Sequence, residues 1–132
     1  MDGLSLTIKA GELFSLLGVN GAGKTTTIKM LSCLAAPTGG DAFLCGASIL
    51  RSPEAVKSII AVSPQETAVA PGLTVRENLE LMCGVHGLSR EKRKAKIEEL
   101  TLRLDLSQVL QRKAGKLSGG WQRRLSIAMA LV

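Results

Sequence analysis

The sequence predicts an α/β fold, and three observations carry the prediction. The apolar run Leu13–Leu17 leads straight into a glycine-rich loop and then into a segment with helical spacing. That strand, loop and helix order is the repeating unit of a parallel α/β core. Up to about residue 71, short apolar runs alternate with helical segments between Gly and Pro turns. From 72 onward the apolar spacing is helical only. The reading is a single domain over 1–132: an α/β core at 1–71, an all-helical subdomain at 72–116, and a final loop and helix at 117–132.

Each element has its own signal. Leu4, Leu6 and Ile8 alternate with Ser5, Thr7 and Lys9, which predicts a half-buried strand, and Gly11 turns the chain into the Leu13–Leu17 strand. A helix starts near Gly23, with Ile28, Leu31 and Cys33 or Leu34 at helical spacing. Pro37-Thr38-Gly39-Gly40 ends it and turns into a strand at Asp41–Cys45. Ser52 as N-cap with Pro53 at the first helical position opens the next helix. Ile59–Val62 reads as a buried strand, closed by Ser63-Pro64-Gln65. Thr74-Val75-Arg76-Glu77 has the pattern of a capping box, with Val75, Leu79 and Met82 on one helix face. A charged helix follows Ser89, with Ile97, Leu100 and Leu104 as its apolar stripe, and then a short one around Val109 and Leu110. Ser118-Gly119-Gly120 precedes a last helix with Leu125, Ala128, Met129 and Val132 spaced i, i+3, i+4, i+7. His86, before Gly87, falls at a helix end and has a capping or surface role.

The chemistry lies at residues 18–25, Gly18-Val19-Asn20-Gly21-Ala22-Gly23-Lys24-Thr25, which fit G-x-x-x-x-G-K-[ST]. Glycines let the backbone curl around an anion, so that successive N–H groups face phosphate oxygens. Lys24 is placed to reach the β- and γ-phosphates of a nucleotide, and the Thr25 hydroxyl to hold a magnesium ion. The positive end of the following helix adds to the same site. The candidate nucleotide-binding set is therefore Gly18, Asn20, Gly21, Ala22, Gly23, Lys24, Thr25 and Thr26.

Composition excludes more than it assigns. No apolar stretch approaches the roughly 18 residues that span a bilayer, and residues 1–4 lack the basic, then apolar, pattern of a secretory signal. Cys33, Cys45 and Cys83 are odd in number and widely spaced, so they read as buried thiols rather than a disulfide or zinc set. Much of the net charge of +6 sits in Arg90–Lys96, which reads as a solvated helix face. With no Tyr, two Phe and one Trp there is little for a base-stacking surface. A nucleic-acid partner is not expected, although the basic stretch leaves a patch for nucleic acid or acidic lipid open.

Three landmarks now stand in order: the phosphate loop, Gln65 at a strand end, and Leu117-Ser118-Gly119-Gly120 before a helix. Together they resemble the ATP-binding cassette (ABC) ATPases, and the resemblance covers essentially the whole chain. It implies a P-loop NTPase core with an inserted helical subdomain, here an incomplete ABC ATPase fold, with ATP and Mg2+ as cofactors. By the same resemblance Gln65 is the one catalytic residue present, meeting magnesium and the attacking water, so that Thr25 and Gln65 form the metal set. Ser118, Gly119 and Gly120 form a second anion site that takes the γ-phosphate of ATP held by a second, head-to-tail ABC ATPase subunit. A transmembrane transporter subunit is the implied partner, docked around residues 66–85. The protein is then cytoplasmic and peripheral on the cytoplasmic membrane face.

The family's magnesium-binding aspartate, catalytic glutamate and switch histidine have no counterpart in the chain, and His86 precedes the signature. The expectation is a fragment that holds nucleotide but hydrolyses it poorly, with an unpaired apolar sheet edge beside the phosphate-loop strand. Trp121 stands where the signature commonly has Gln, and Gln122 follows one place later. The phosphate-loop tract looks most like that of small-molecule and drug exporters. Two other readings are a soluble ABC ATPase acting on ribosomes or nucleic acid, and a non-hydrolysing nucleotide-binding module.

Overall fold

The computed structural model describes residues 3–132, in two compact units: residues up to Ile60, and Ala61–Val132. In the first unit the phosphate loop leads into α1, Lys24–Leu31. Its C-terminus closes on Cys33 in the left-handed conformation, φ 57°. The Cys33 N–H donates to Met30 O and the Leu34 N–H to Lys29 O, the paired bonds that satisfy the last carbonyls of a helix. Two strands follow, β1 Phe43–Leu44 and β2 Ala47–Ser48, antiparallel with Leu44 opposite Ala47. The connecting pair Cys45-Gly46 has φ 49° and 84°, the double positive φ of a two-residue turn that matches strand twist. Buried Ser48 accounts for the next turn, accepting the N–H groups of Leu50 and Arg51 and donating to Asp41 at 2.7 Å. That bond holds the Asp41 carboxyl below its ordinary pKa. Helix α2, Pro53–Ile59, starts with Ser52 as N-cap and Pro53 at its first position, but the Ser52 side chain makes no cap bond.

Three expected strands are absent from the described residues. Leu4–Ile8, Leu13–Leu17 and Ile60–Val62 carry no strand pairing, and Ile59 closes α2 instead. Strand Asp41–Cys45 contracts to Phe43–Leu44. The physical reason is common to all. A strand exists only through bonds to a neighbour, and apolar periodicity records a wish to be covered without supplying the cover. Leu13 and Leu17 are accordingly 103% and 87% exposed. The apolar stripe expected for the first helix behaves in the same way: Ile28 is exposed, Leu34 is exposed just past the end of α1, and α1 buries Thr27.

The second unit holds a continuous core. Helix α3, Val75–Val85, opens with the expected capping box: Glu77 N–H donates to Thr74 Oγ1 and Thr74 N–H to Glu77 Oε2 at 2.7 Å. His86 is its C-cap and is exposed, as expected, and Gly87 follows at φ 65° with the same closing bonds as α1. Helix α4, Arg90–Arg103, is capped by Ser89, and its end closes on Asp105 at φ 56°. Two 3₁₀ turns, Ser107–Val109 and Ala114–Lys116, lead to α5, Gly119–Ala130. Val75, Leu79 and Cys83 from α3 meet Ile97 and Leu100 from α4 and Leu125, Ala128 and Met129 from α5. Leu106, Val109, Ala114 and Leu117 complete the cluster, so the connecting turns are part of the core. Asn78, fully buried, ties residues 70–74 to α3: its Oδ1 accepts Ala70 N–H, and its Nδ2 donates to the carbonyls of Ala70 and Thr74. Of the three thiols only Cys83 is buried, and burial pushes its pKa up; Cys33 is half-buried and Cys45 exposed.

Candidate nucleotide site

The phosphate loop is built entirely within the first unit. Ala22 N–H donates to Val19 O, which closes the loop. Gly21 and Gly23 have φ of 86° and 90°, a backbone that L side chains rarely adopt, and Gly23 is the N-cap of α1. A side chain on Gly18 would begin 3.3 Å from Ala22 Cβ, tighter than ordinary contact, so the loop would have to give by a few tenths of an ångström there. Lys24 Nζ turns back into the loop and donates to Gly18 O at 2.6 Å and Val19 O at 2.7 Å. The first turn of α1 carries no acidic residue, so its positive end is unopposed. Thr27 Oγ1 donates to Gly23 O at 2.9 Å and braces the first turn, while Thr25 and Thr26 stay exposed. A cavity of about 260 Å³ opens between Gly3, Leu4, Leu16, Leu17, Ala22, Lys24 and Thr27.

The donor set fits a polyanion. Backbone N–H groups at a helix start and one ammonium group are donors that favour negative charge. A magnesium ion at this loop would meet the neutral Thr25 hydroxyl, so most of its oxygen ligands would come from phosphates and water. Among the described residues no cluster of three or more His, Cys, Asp or Glu side chains can hold a metal by itself.

Gln65 and the signature residues lie in the second unit. Ser118 is the N-cap of α5, and Gly119 and Gly120 form its first turn, all three exposed. The Ser118 side chain makes no cap bond, in contrast to Thr74 and Ser89. The stretch before α5 is held by Gln122, whose Nε2 donates to Ala114 O at 3.1 Å and Leu117 O at 3.4 Å. Trp121 is half-buried on the core, with the Arg124 guanidinium 4.8 Å above its ring, and Arg124 also pairs with Asp105 at 3.3 Å. Gln65 is exposed, directly after Pro64, whose carbonyl accepts a hydrogen bond from Arg123 Nη1. Gln122 and Arg123 were not legible as site residues, because their partners are backbone carbonyls brought close only by folding.

The family model described as "ABC transporter" matches residues 1–132. The chain belongs to the ABC transporter family. The Nod factor export ATP-binding protein I of Burkholderia orbicola is 42% identical over all 132 residues, which span 43% of that protein. Human ATP-binding cassette sub-family A member 2 is 40% identical over the same 132 residues, 5% of its length. The chain thus spans under half the length of these curated relatives. Among solved structures, the dimeric structure of MJ0796, a bacterial ABC transporter cassette, matches 96% of this chain and 58% of its own, with TM-score 0.75 and 31% identity. The ATP-binding subunit of an ABC transporter matches 86% of this chain and 48% of its own, with TM-score 0.67 and 29% identity. The α/β fold is therefore that of the ABC ATPases, although the only sheet among the described residues is the β1–β2 hairpin. Among those residues no helix is long and apolar enough to cross a membrane.

Proposed function

We propose that this chain binds Mg2+-ATP through Gly18–Thr26 and serves as the nucleotide-binding part of an ABC transporter ATPase that drives a solute across a membrane. The observation that carries the reading is the Lys24 ammonium group, held inside the loop at 2.6 and 2.7 Å from backbone carbonyls at an unopposed helix start. A triphosphate entering the loop would exchange those neutral acceptors for charged ones, which bind an ammonium group about twice as strongly. Lys24 would then neutralise the β- and γ-phosphates, Thr25 and Gln65 would meet the magnesium ion, and Gln65 would orient the attacking water. Phosphoryl transfer depends on such positioning and charge stabilisation more than on covalent chemistry.

Ser118, Gly119 and Gly120 would offer the exposed start of α5 to the γ-phosphate of ATP on a second ABC ATPase subunit. In that arrangement the nucleotide is part of the interface, and its state controls association. The helical subdomain at 72–116, with residues 66–85 as docking surface, would receive the transmembrane partner. Leu81 and Val85, 50% and 71% exposed on α3, supply apolar surface for it. The protein would then sit on the cytoplasmic face of the membrane, and the names of the Nod factor relatives favour export.

The test is calorimetric titration of this chain with Mg2+-ATP beside Lys24→Ala. We expect saturable binding that Lys24→Ala weakens by about 10- to 100-fold, the worth of a hydrogen bond to a charged group. Equal affinity in both proteins would overturn the reading.

A further inference from the structure

The segment that delivers Gln65 is bound to the signature helix by two side chains. Arg123 Nη1 donates to the carbonyl of Pro64, the residue immediately before Gln65. Ser126 Oγ lies 3.3 Å from Ser63 Oγ, one residue further back. Arg123 and Ser126 are three apart, so they project from one face of α5 as a pair. Neither bond is local: 59 and 63 residues separate the partners.

The geometry points to Arg123, assisted by Ser126, as a positioning residue that ties Gln65 to the signature turn within one chain. This rests on the reading that Gln65 serves the bound nucleotide. A peptide unit is planar, so holding Pro64 O also sets the plane of the Gln65 N–H. The proline ring fixes its own φ, which leaves little slack before Gln65. At the other end, Leu125 and Ala128 are fully buried and Ser126 is 3% exposed, so α5 is anchored in the core along the face that carries Ser126. Arg123 lies one turn from Gly119 and Gly120, at the end where a phosphate would be received. A movement of the signature turn is therefore passed to residues 63–65, and a movement of residues 63–65 is passed back to the signature turn. Without the two links, residues 63–65 and α5 would respond independently.

Trp121, the single tryptophan, reports on the signature turn, since it sits in the first turn of α5 under Arg124. The experiment follows Trp121 emission while the full chain is titrated with Mg2+-ATP, with affinity measured in parallel by calorimetry. In the unmodified chain we expect emission to change with saturation. Arg123→Ala should keep its affinity within about twofold, as expected of a substitution away from the phosphate loop, and lose the emission change. Arg123→Lys, which keeps a donor, should restore it. Ser126→Ala should show a smaller loss and gives an independent reading should Arg123→Ala fail to fold. Binding with an undiminished emission change in both alanine variants overturns the link alone. Binding with no emission change in the unmodified chain overturns the link together with the Gln65 role on which it rests. No binding by the unmodified chain overturns the nucleotide reading beneath it, and the link with it.

Discussion

In the unit up to Ile60, Leu13, Phe14, Leu17, Val19 and Leu34 all face solvent, whereas in Ala61–Val132 the side chains of Val75, Leu79, Leu100, Leu106 and Leu125 are fully buried. Both regions are rich in aliphatic residues at regular spacing, so composition does not separate them. The difference is in how each type of element finds partners. Helices α3, α4 and α5 complete their backbone bonds internally and need only lay one stripe against a neighbour. The apolar runs of the first unit are strand-like and need both a covering layer and a bonded edge. The phosphate loop keeps its shape there because local backbone bonds and the Lys24 contacts suffice.

Truncation of a core residue gives the largest expected contrast. Leu79→Ala in α3 should lower stability by about 2–5 kcal/mol, and Leu13→Ala should change it by less than about 0.5 kcal/mol. Urea denaturation of the two variants measures both, and a cost for Leu13→Ala matching that of Leu79→Ala would remove the contrast. A smaller effect comes from the buried polar brace of each unit. Asn78→Ala leaves the Ala70 N–H without its acceptor and should cost about 1–3 kcal/mol. Ser48→Ala, whose backbone partners at Leu50 and Arg51 lie in a surface turn open to water, should cost less by the same measurement.

The smallest effect is a pH dependence. The Thr74 N–H bond, with the Thr74 hydroxyl beside it, holds the Glu77 carboxyl below its ordinary pKa. A depressed acid stabilises the fold above its unfolded pKa and loses that contribution as pH falls through the folded one. The melting-temperature difference between the unmodified chain and Glu77→Gln should therefore be present at neutral pH and shrink on acidification below the ordinary glutamate range. A difference that stays constant down to pH about 3, below the unperturbed value near 4.3, would show that the box does not depend on the carboxylate charge.

Some of this was legible in the residues alone because it is local. The phosphate-loop pattern at 18–25, the Thr74–Glu77 box, the Gly87 helix end and the Ser118-Gly119-Gly120 helix start each depend on neighbours within about one helical turn. The stripes Val75–Leu79, Ile97–Leu100 and Leu125–Ala128–Met129 were equally plain, since helical periodicity shows which face is to be covered. The strand assignments at Leu4–Ile8, Leu13–Leu17 and Ile59–Val62 went beyond this, because alternation and apolar runs do not contain the partner strand. What only the folded structure decided are contacts beyond one helical turn: Lys24 turned back on Gly18 and Val19, Asn78 bracing Ala70, Gln122 holding Leu117, and, across 59 and 63 residues, Arg123 and Ser126 gripping Pro64 and Ser63. The partners there are mostly backbone carbonyls, which every residue carries. No residue type marks them, and only the folded path of the chain brings them within reach.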